Sequence, residues 1–423
     1  MKDKGYIVVL MVSILIISGT VYYVFSEIES GKQETYSIPL ADDTNATAES
    51  ISSLVGSMND FSFDFYDQII EKENGNIFFS PYSIFVALSM AYEGSDGNTS
   101  IEFEDVLNFK QNNSESLGSF GKIYNLLNQN QDGYKISTAN AFWAHKDYTF
   151  LDSYLGLLEN FYMADANELD FSKNVEAAET INLWIEEKTN NKIKDMIDAN
   201  MLSDFTKLVL TNAIYFKGLW AQPFDPDSTY EADFQIKEDE IVKVDMMTSD
   251  SDSRFNYTEN EDLKVLKLNY WGNKLSMVII LPNENNITKA EAQINAKNLS
   301  NWNSDFVETE IKVELPKFKF ERKYDLINYL RELGINDAFS PGIADFSKMD
   351  GTNSLFIGKA LHQSFVEVNE EGTEAAAATA IIMELTAMPD EKFFIADHPF
   401  IFLIQHEETG AILFMGKVTD PSE

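Results

Sequence analysis

The ten residues Glu371–Ala380, EGTEAAAATA, restrict what this chain can fold into more than any other stretch. Two readings compete. Four consecutive alanines favour a helix, since alanine has the highest helix propensity of any residue, and Thr373 would then cap its start. Read with period two, the same residues form a strand. Thr373, Ala375, Ala377, Thr379, Ile381 and Met383 then share one face that carries no charge, while Glu374, Ala376, Ala378, Ala380, Ile382 and Glu384 share the other. So little bulk packs no core of its own. It suits a segment that slides between two existing strands without a clash or a buried charge.

Composition narrows the function. The chain has 423 residues, with 32 basic against 69 acidic side chains and a formal charge of -37. Phosphate-backbone binding draws on clustered Lys and Arg, so this balance argues against nucleic acid as a partner. Anionic membrane surfaces and polyanions are disfavoured for the same reason. There is no Cys, so disulfides, thiolate catalysis and zinc–thiolate sites are all excluded. The 31 Phe and 18 Tyr point to a large aromatic core.

The N-terminus departs from this pattern. Gly5 to Ser26 is uncharged and rich in Ile, Val and Leu. As a helix it would reach roughly 33 Å, enough to cross a hydrocarbon core. Lys2 and Lys4 precede it and Glu27 and Glu29 follow, which favours a cytoplasmic N-terminus and a body outside. Residues 1–26 therefore read as an uncleaved anchor or a cleaved signal peptide, with the body extracellular or at the cell surface in both cases. Residues 27–56 are polar and read as a flexible tether. From residue 57 to 423 no second linker and no internal repeat interrupts the chain. Val175 to Ile197 has helical periodicity, whereas Lys207–Leu210, Leu275–Leu281 and Glu310–Leu315 read as strands. The two types do not alternate regularly, so the class is α+β, with one large domain.

A search for catalytic machinery returns nothing. The four histidines are His145, His362, His398 and His406. His406-Glu407 starts like a zincin helix but lacks the second His, so no metal site follows. Gly118-Ser119-Phe120-Gly121 is not a nucleophile elbow, and no glycine-rich phosphate loop is present. His362 lies in an apolar run and reads as a hydrogen-bonded core residue. No cofactor is implied.

Seven motifs, in order along the chain, are similar to those of the serpins. Asn76–Ile84 (NIFFSPYSI) resembles the family's early helix motif. Ile181–Thr189 (INLWIEEKT), followed by Lys192-Ile193, resembles the helix that crosses the main sheet. Thr211–Trp220 (TNAIYFKGLW), Leu315–Phe318 (LPKF), Ala344–Ser347 (ADFS), Phe394–Phe400 (FIADHPF) and Leu413–Val418 (LFMGKV) complete the set. The likeness runs from about Ser57 to Ser422. It implies a single serpin domain of three sheets and eight to nine helices, with an exposed reactive-centre loop.

The resemblance also implies a function. A target protease cuts the loop, is held as an acyl-enzyme, and is disabled when the loop inserts into the main sheet. The chain is then a monomeric inhibitor of serine-type endopeptidases and not an enzyme. By the same likeness the hinge is Gly372, Thr373, Glu374, Ala375, Ala376, Ala377 and Ala378. Ser80, Asn212 and His362 match the polar shutter beneath the sheet, and Trp220 matches the aromatic of the breach above it. Counting from Gly372 sets the reactive bond at Thr386–Ala387, with Leu385 and Met388 as alternatives. These are small or apolar residues, which fits elastase-, subtilisin- or chymotrypsin-like proteases, or a papain-like cysteine protease, and disfavours trypsin-like ones. The competing reading is a non-inhibitory carrier or chaperone. The uncharged hinge face, free of proline until Pro389, argues against it.

Overall fold

A computed structural model describes residues 11–17, 20–26, 40–109, 113–128, 133–373 and 392–423. The chain divides into two units, Met1–Pro39 and Leu40–Glu423. In the first, Met11–Ile17 and Thr20–Ser26 pair as an antiparallel hairpin. Across the described part of Gly5–Ser26, residues 11–17 and 20–26, the expected helix is replaced by these two strands. An uncharged run rich in β-branched and aromatic residues satisfies a strand as well as a helix, and hydrophobicity alone does not separate them. Among the described residues no helix is long and apolar enough to cross a membrane. The anchor or signal reading of residues 1–26 rests on the sequence alone.

The second unit starts earlier than the polar composition implied. Residues 40–56, read above as tether, belong to the folded body. The Ala41 backbone is held by both groups of the Asn125 carboxamide, at 2.9 and 3.0 Å. Helix α1 (Ala48–Ile70) then begins at a capping box in which Thr47 and Ser50 exchange side-chain and backbone hydrogen bonds. Capping by small polar residues makes a helix start look like a linker when composition is read alone.

The site is organised by a six-stranded sheet. In chain order its strands are β1 (Tyr134–His145), β2 (Asp165–Leu169), β3 (Leu208–Leu219), β4 (Phe318–Asp325), β5 (Ile357–Asn369) and β6 (Gly372–Thr373). In space they run β4-β5-β6-β3-β1-β2, with a further direct pairing between β5 and β3. Both faces are covered, so β3 is buried at nearly every position. Its odd residues Val209, Ala213 and Tyr215 face one core together with Ile181 and Ile185 of helix α3 (Asn174–Lys188). Its even residues Leu208, Leu210, Ile214 and Phe216 face the larger core built around helix α2 (Pro81–Gly94). Period two thus decides which face each polar residue of these strands meets.

Helix α3 is shorter than its hydrophobic period predicted. It ends at Lys188, and Asn190, Asn191 and Asp195 take left-handed φ values of 53°, 59° and 51°. Asn tolerates this region better than other side chains, so the Asn pair stops the helix. Ile193 and Ile197 still reach the same core from the following loop. The remaining strands form a ten-stranded sheet, nine along one path and Lys392–Ile395 beside it, in which Val307–Pro316 pairs with Arg254–Glu259 through its first half and with Glu240–Thr248 through its second. The second and third sheets expected from the resemblance are thus continuous through this strand. Ten α-helices are present among the described residues, some of a single turn.

Candidate functional site

The centre of the main sheet is a pair of parallel strands that part at one end. β5 and β3 pair from Ile357 with Leu208 to Phe365 with Tyr215. Beyond that point β6 fills the opening, antiparallel to both. Thr373 lies between Val368 and Gly218, and Gly372 lies between Asn369 and Leu219. The chain reaches β6 by a turn that the Trp220 and Phe224 amides hold, donating to the Glu371 and Glu370 carbonyls at 2.8 Å each. Glycine is required at 372, where φ is 154° and a Cβ would overlap the Gly218 carbonyl. It is required at 218 too, because a Cβ there would sit 2.7 Å from the Phe216 and Tyr270 rings.

Around β6 the contacts are aromatic and polar. Trp220 is buried, stacks on Tyr270 with centroids 4.6 Å apart, and donates its indole N–H to the Asn369 carbonyl at 3.0 Å. The Tyr270 hydroxyl lies 2.8 Å from Thr373 Oγ1. Burial pushes the Tyr270 phenol far up, so it remains protonated. Just before the hinge, the mostly buried Glu370 accepts from the Thr229 hydroxyl at 2.8 Å and pairs with Lys317 Nζ at 3.2 Å. Burial pushes its carboxyl up, but its own backbone N–H, Thr229 and Lys317 outweigh that and hold it below the ordinary range.

Further along the sheet lies a row of polar side chains. Asn140 of β1 is directly opposite Asn212 of β3, and Asn212 is opposite His362 of β5. By the even-residue rule all three point to the α2 core, where Ser80 caps the start of α2 by accepting from the Ser83 N–H. The Ser80 N–H donates to His362 Nε2 at 3.0 Å, which makes Nδ1 the protonated nitrogen facing Asn212 Oδ1. The Asn212 amide donates to Asn140 Oδ1 at 2.6 Å and to the Ser83 carbonyl at 2.9 Å. Ser80 Oγ closes the set on the Leu413 carbonyl at 2.6 Å. Burial holds the His362 imidazole down at about 3, so it is neutral. The Ser80 N–H and Asn212 Oδ1 occupy both ring nitrogens, so the imidazole is not placed to activate a hydroxyl, and the network is a polar seam between strands.

The structure therefore brings Ser80, Asn212 and His362 into one cluster, and Trp220, Gly372 and Thr373 into another. Glu374, Ala375, Ala376, Ala377 and Ala378 of the hinge, and the Thr386–Ala387 bond, lie outside the described residues. Sequence reasoning missed Ser83, Asn140, Tyr270, Glu370 and Lys317. Asn140 carried a usable signal, a polar residue at an inward position between Ile136 and Phe142. Tyr270 carried none, because its role depends on the glycine across the sheet.

The sequence model of the family described as Serpin (serine protease inhibitor) matches residues 56–421. The chain belongs to the serpin family. An uncharacterized serpin-like protein of Thermococcus kodakarensis is 40% identical over 375 residues, which cover 88% of this chain and 86% of that one. Human leukocyte elastase inhibitor is 39% identical over 373 residues, covering 85% and 97%. The solved structure of human thyroxine-binding globulin matches with a TM-score of 0.82 at 30% identity, over 88% of this serpin and 100% of that chain. The single-domain α+β serpin fold expected from the motifs is the fold observed.

Proposed function

We propose that this serpin is a suicide-substrate inhibitor of a serine protease. One observation carries the reading: Gly372 and Thr373 already lie as a strand between β3 and β5, at the open end of a parallel pair. In this reading the protease's serine attacks the carbonyl of Thr386, and the Ala387 amine leaves. The loop, now free at one end, continues between the two strands while still esterified to the protease. Insertion of the reactive loop into the main sheet, with release of stored strain, is a known serpin transition.

The observed register supports this. Continued along both strands, it sets Ala375 opposite Phe216 and Val366, and Ala377 opposite Ile214 and Ser364. Thr379 then falls between Asn212 and His362, in the polar row. A hydroxyl there meets both groups whose mutual hydrogen bond must break as the strands separate. About a dozen new backbone hydrogen bonds at a net ~1 kcal/mol each match the entire stability of an ordinary domain, ~5–15 kcal/mol. That is enough to deform a second protein.

The body acts outside the cytoplasm in this proposal, on the strength of Lys2 and Lys4 before the apolar segment and Glu27 and Glu29 after it. The deciding experiment mixes the purified chain with elastase, subtilisin, chymotrypsin and trypsin, on denaturing gels with mass spectrometry of the released peptide. A covalent band at the summed mass is expected with at least one of the first three, and the peptide's first residue fixes the bond. The carrier reading, which the thyroxine-binding globulin likeness favours, predicts cleavage without such a band and no rise in melting temperature afterwards.

A further inference from the structure

Beside the breach lies a cavity of about 300 Å³ whose lining includes Trp220. It sits where the chain after β3 crosses the polar face of three other strands. Lys267, Asn256 and Glu308 are aligned there across adjacent strands, and Arg254 follows Asn256 on the same face. Lys267 is already neutralised by Glu407 at 3.1 Å. Among the described residues, the side chains of Arg254, Asn256, Asn269, Asn273 and Glu308 have no hydrogen-bonding or charged protein partner, although all five line the cavity.

We propose that this cavity binds a small zwitterion, a free α-amino acid, and that its occupant braces the hinge. Arg254 and Glu308 occupy diagonal positions on neighbouring strands, a spacing of roughly 7–8 Å, and they make no ion pair with each other. A molecule carrying a carboxylate and an ammonium on one carbon fits between them with a charge-assisted hydrogen bond at each end. A simple anion would leave Glu308 facing it, and a simple cation would leave Arg254 facing it. The three asparagine carboxamides each offer a donor and an acceptor to the side chain of the guest. On the far side of the wall, the Trp220 indole N–H holds the Asn369 carbonyl and its backbone N–H holds the Glu371 carbonyl. A guest packed against Trp220 therefore resists movement of the turn that feeds β6. This second half rests on the insertion mechanism proposed above, whereas the binding itself does not.

The test is calorimetric titration of the full chain with L-glutamine and L-glutamate, with acetate and n-butylamine as single-charge controls. Saturable binding of an amino acid is expected, with both controls about tenfold weaker or worse. Arg254→Ala and Glu308→Gln should each weaken it by about tenfold, and Asn256→Ala by less. Arg254 and Glu308 are both exposed, so the variants keep the fold, and an unchanged melting temperature checks this. Bound ligand should also slow amide exchange at Glu371–Thr373 several-fold. No heat with either amino acid, or equal heat in the variants, overturns the site. Binding that leaves hinge exchange unchanged overturns the bracing. Neither readout uses a protease, so failure of the inhibitor reading is seen separately in the trapping experiment.

Discussion

The Tyr270 hydroxyl and Thr373 Oγ1 meet at 2.8 Å inside the main sheet, one from the strand layer behind it and one from the hinge. Both residues are buried, at 0% and 1% exposure, so neither hydroxyl has water as an alternative partner. The pair is a latch on the inserted end of the hinge. Tyr270→Phe keeps the ring and its stack on Trp220 but orphans Thr373. The expected result is faster amide exchange at Gly372 and Thr373, with a loss of ~1–3 kcal/mol in urea unfolding. If exchange at Thr373 stayed at the parent's rate, the latch would hold nothing.

Glu370 and Lys317 control the turn before the hinge. Glu370→Lys would set two ammonium groups where an ion pair now stands, at a position only 8% exposed, and would remove the acceptor for Thr229. A loss of ~2–4 kcal/mol is expected. Adding Lys317→Glu should restore part of it, because the pair is re-formed with its charges exchanged. A double variant no better than the single one would assign the loss to packing instead. The pH dependence has a definite sign. The Glu370 carboxyl is held below its ordinary value, so its contribution is full above about 4.3 and is lost as pH falls through the folded value.

His362 gives a wider window. In the fold its imidazole titrates at about 3, whereas in the unfolded chain a histidine titrates near 6.5. Between those values the unfolded chain binds one more proton, so stability declines as pH is lowered from about 6.5, by up to ~1.4 kcal/mol per pH unit. Above that window the contribution is complete. His362→Gln removes the titration while offering the Ser80 N–H an acceptor. Comparing urea unfolding of the two proteins at pH 7 and pH 5 should show a steeper decline in the parent, by about one proton. Parallel declines would mean that His362 is not neutral in the folded protein.

What was legible in the sequence is what period two and local chemistry encode. Asn212 lies between Leu210 and Ile214, and His362 lies between Ala360 and Val366, so both had to face a core and find polar partners there. Their meeting each other is a matter of register between strands 150 residues apart, which no local pattern carries. Gly218 shows the same limit. Half of its requirement comes from Phe216 on its own strand, and the other half from Tyr270, which follows the strand Leu263–Asn269 of the larger sheet. The overlong helix prediction at Val175–Ile197 failed for a different reason: the apolar spacing continued past the Asn190-Asn191 stop, because the loop packs on the same core as the helix.

Thr379 tests the register itself. Continued from Thr373, the pairing sets residue 379 between Asn212 and His362, and Thr379→Val would offer them a methyl in place of the hydroxyl. Its loss should lower the gain in melting temperature on cleavage without altering the uncut protein, because that position meets the row only after insertion.

Thr373→Arg asks more of the mechanism. Thr373 sits 1% exposed on the inward face with its hydroxyl against that of Tyr270, so a guanidinium inserted there would be buried against a phenol instead of a carboxylate. The hinge would stay out of the sheet, and the protease would complete hydrolysis before the loop could carry it away. Cleavage at the parent's bond, loss of the covalent band and no stabilisation after the cut are the expected triad. Ala377→Arg should behave alike, since two-residue periodicity sets it on the same face. Thr373→Ser, which keeps the hydroxyl opposite Tyr270, should trap protease as the parent does. Undiminished trapping by Thr373→Arg would show that inhibition proceeds without insertion at this hinge, and the strand-insertion reading would have to be abandoned.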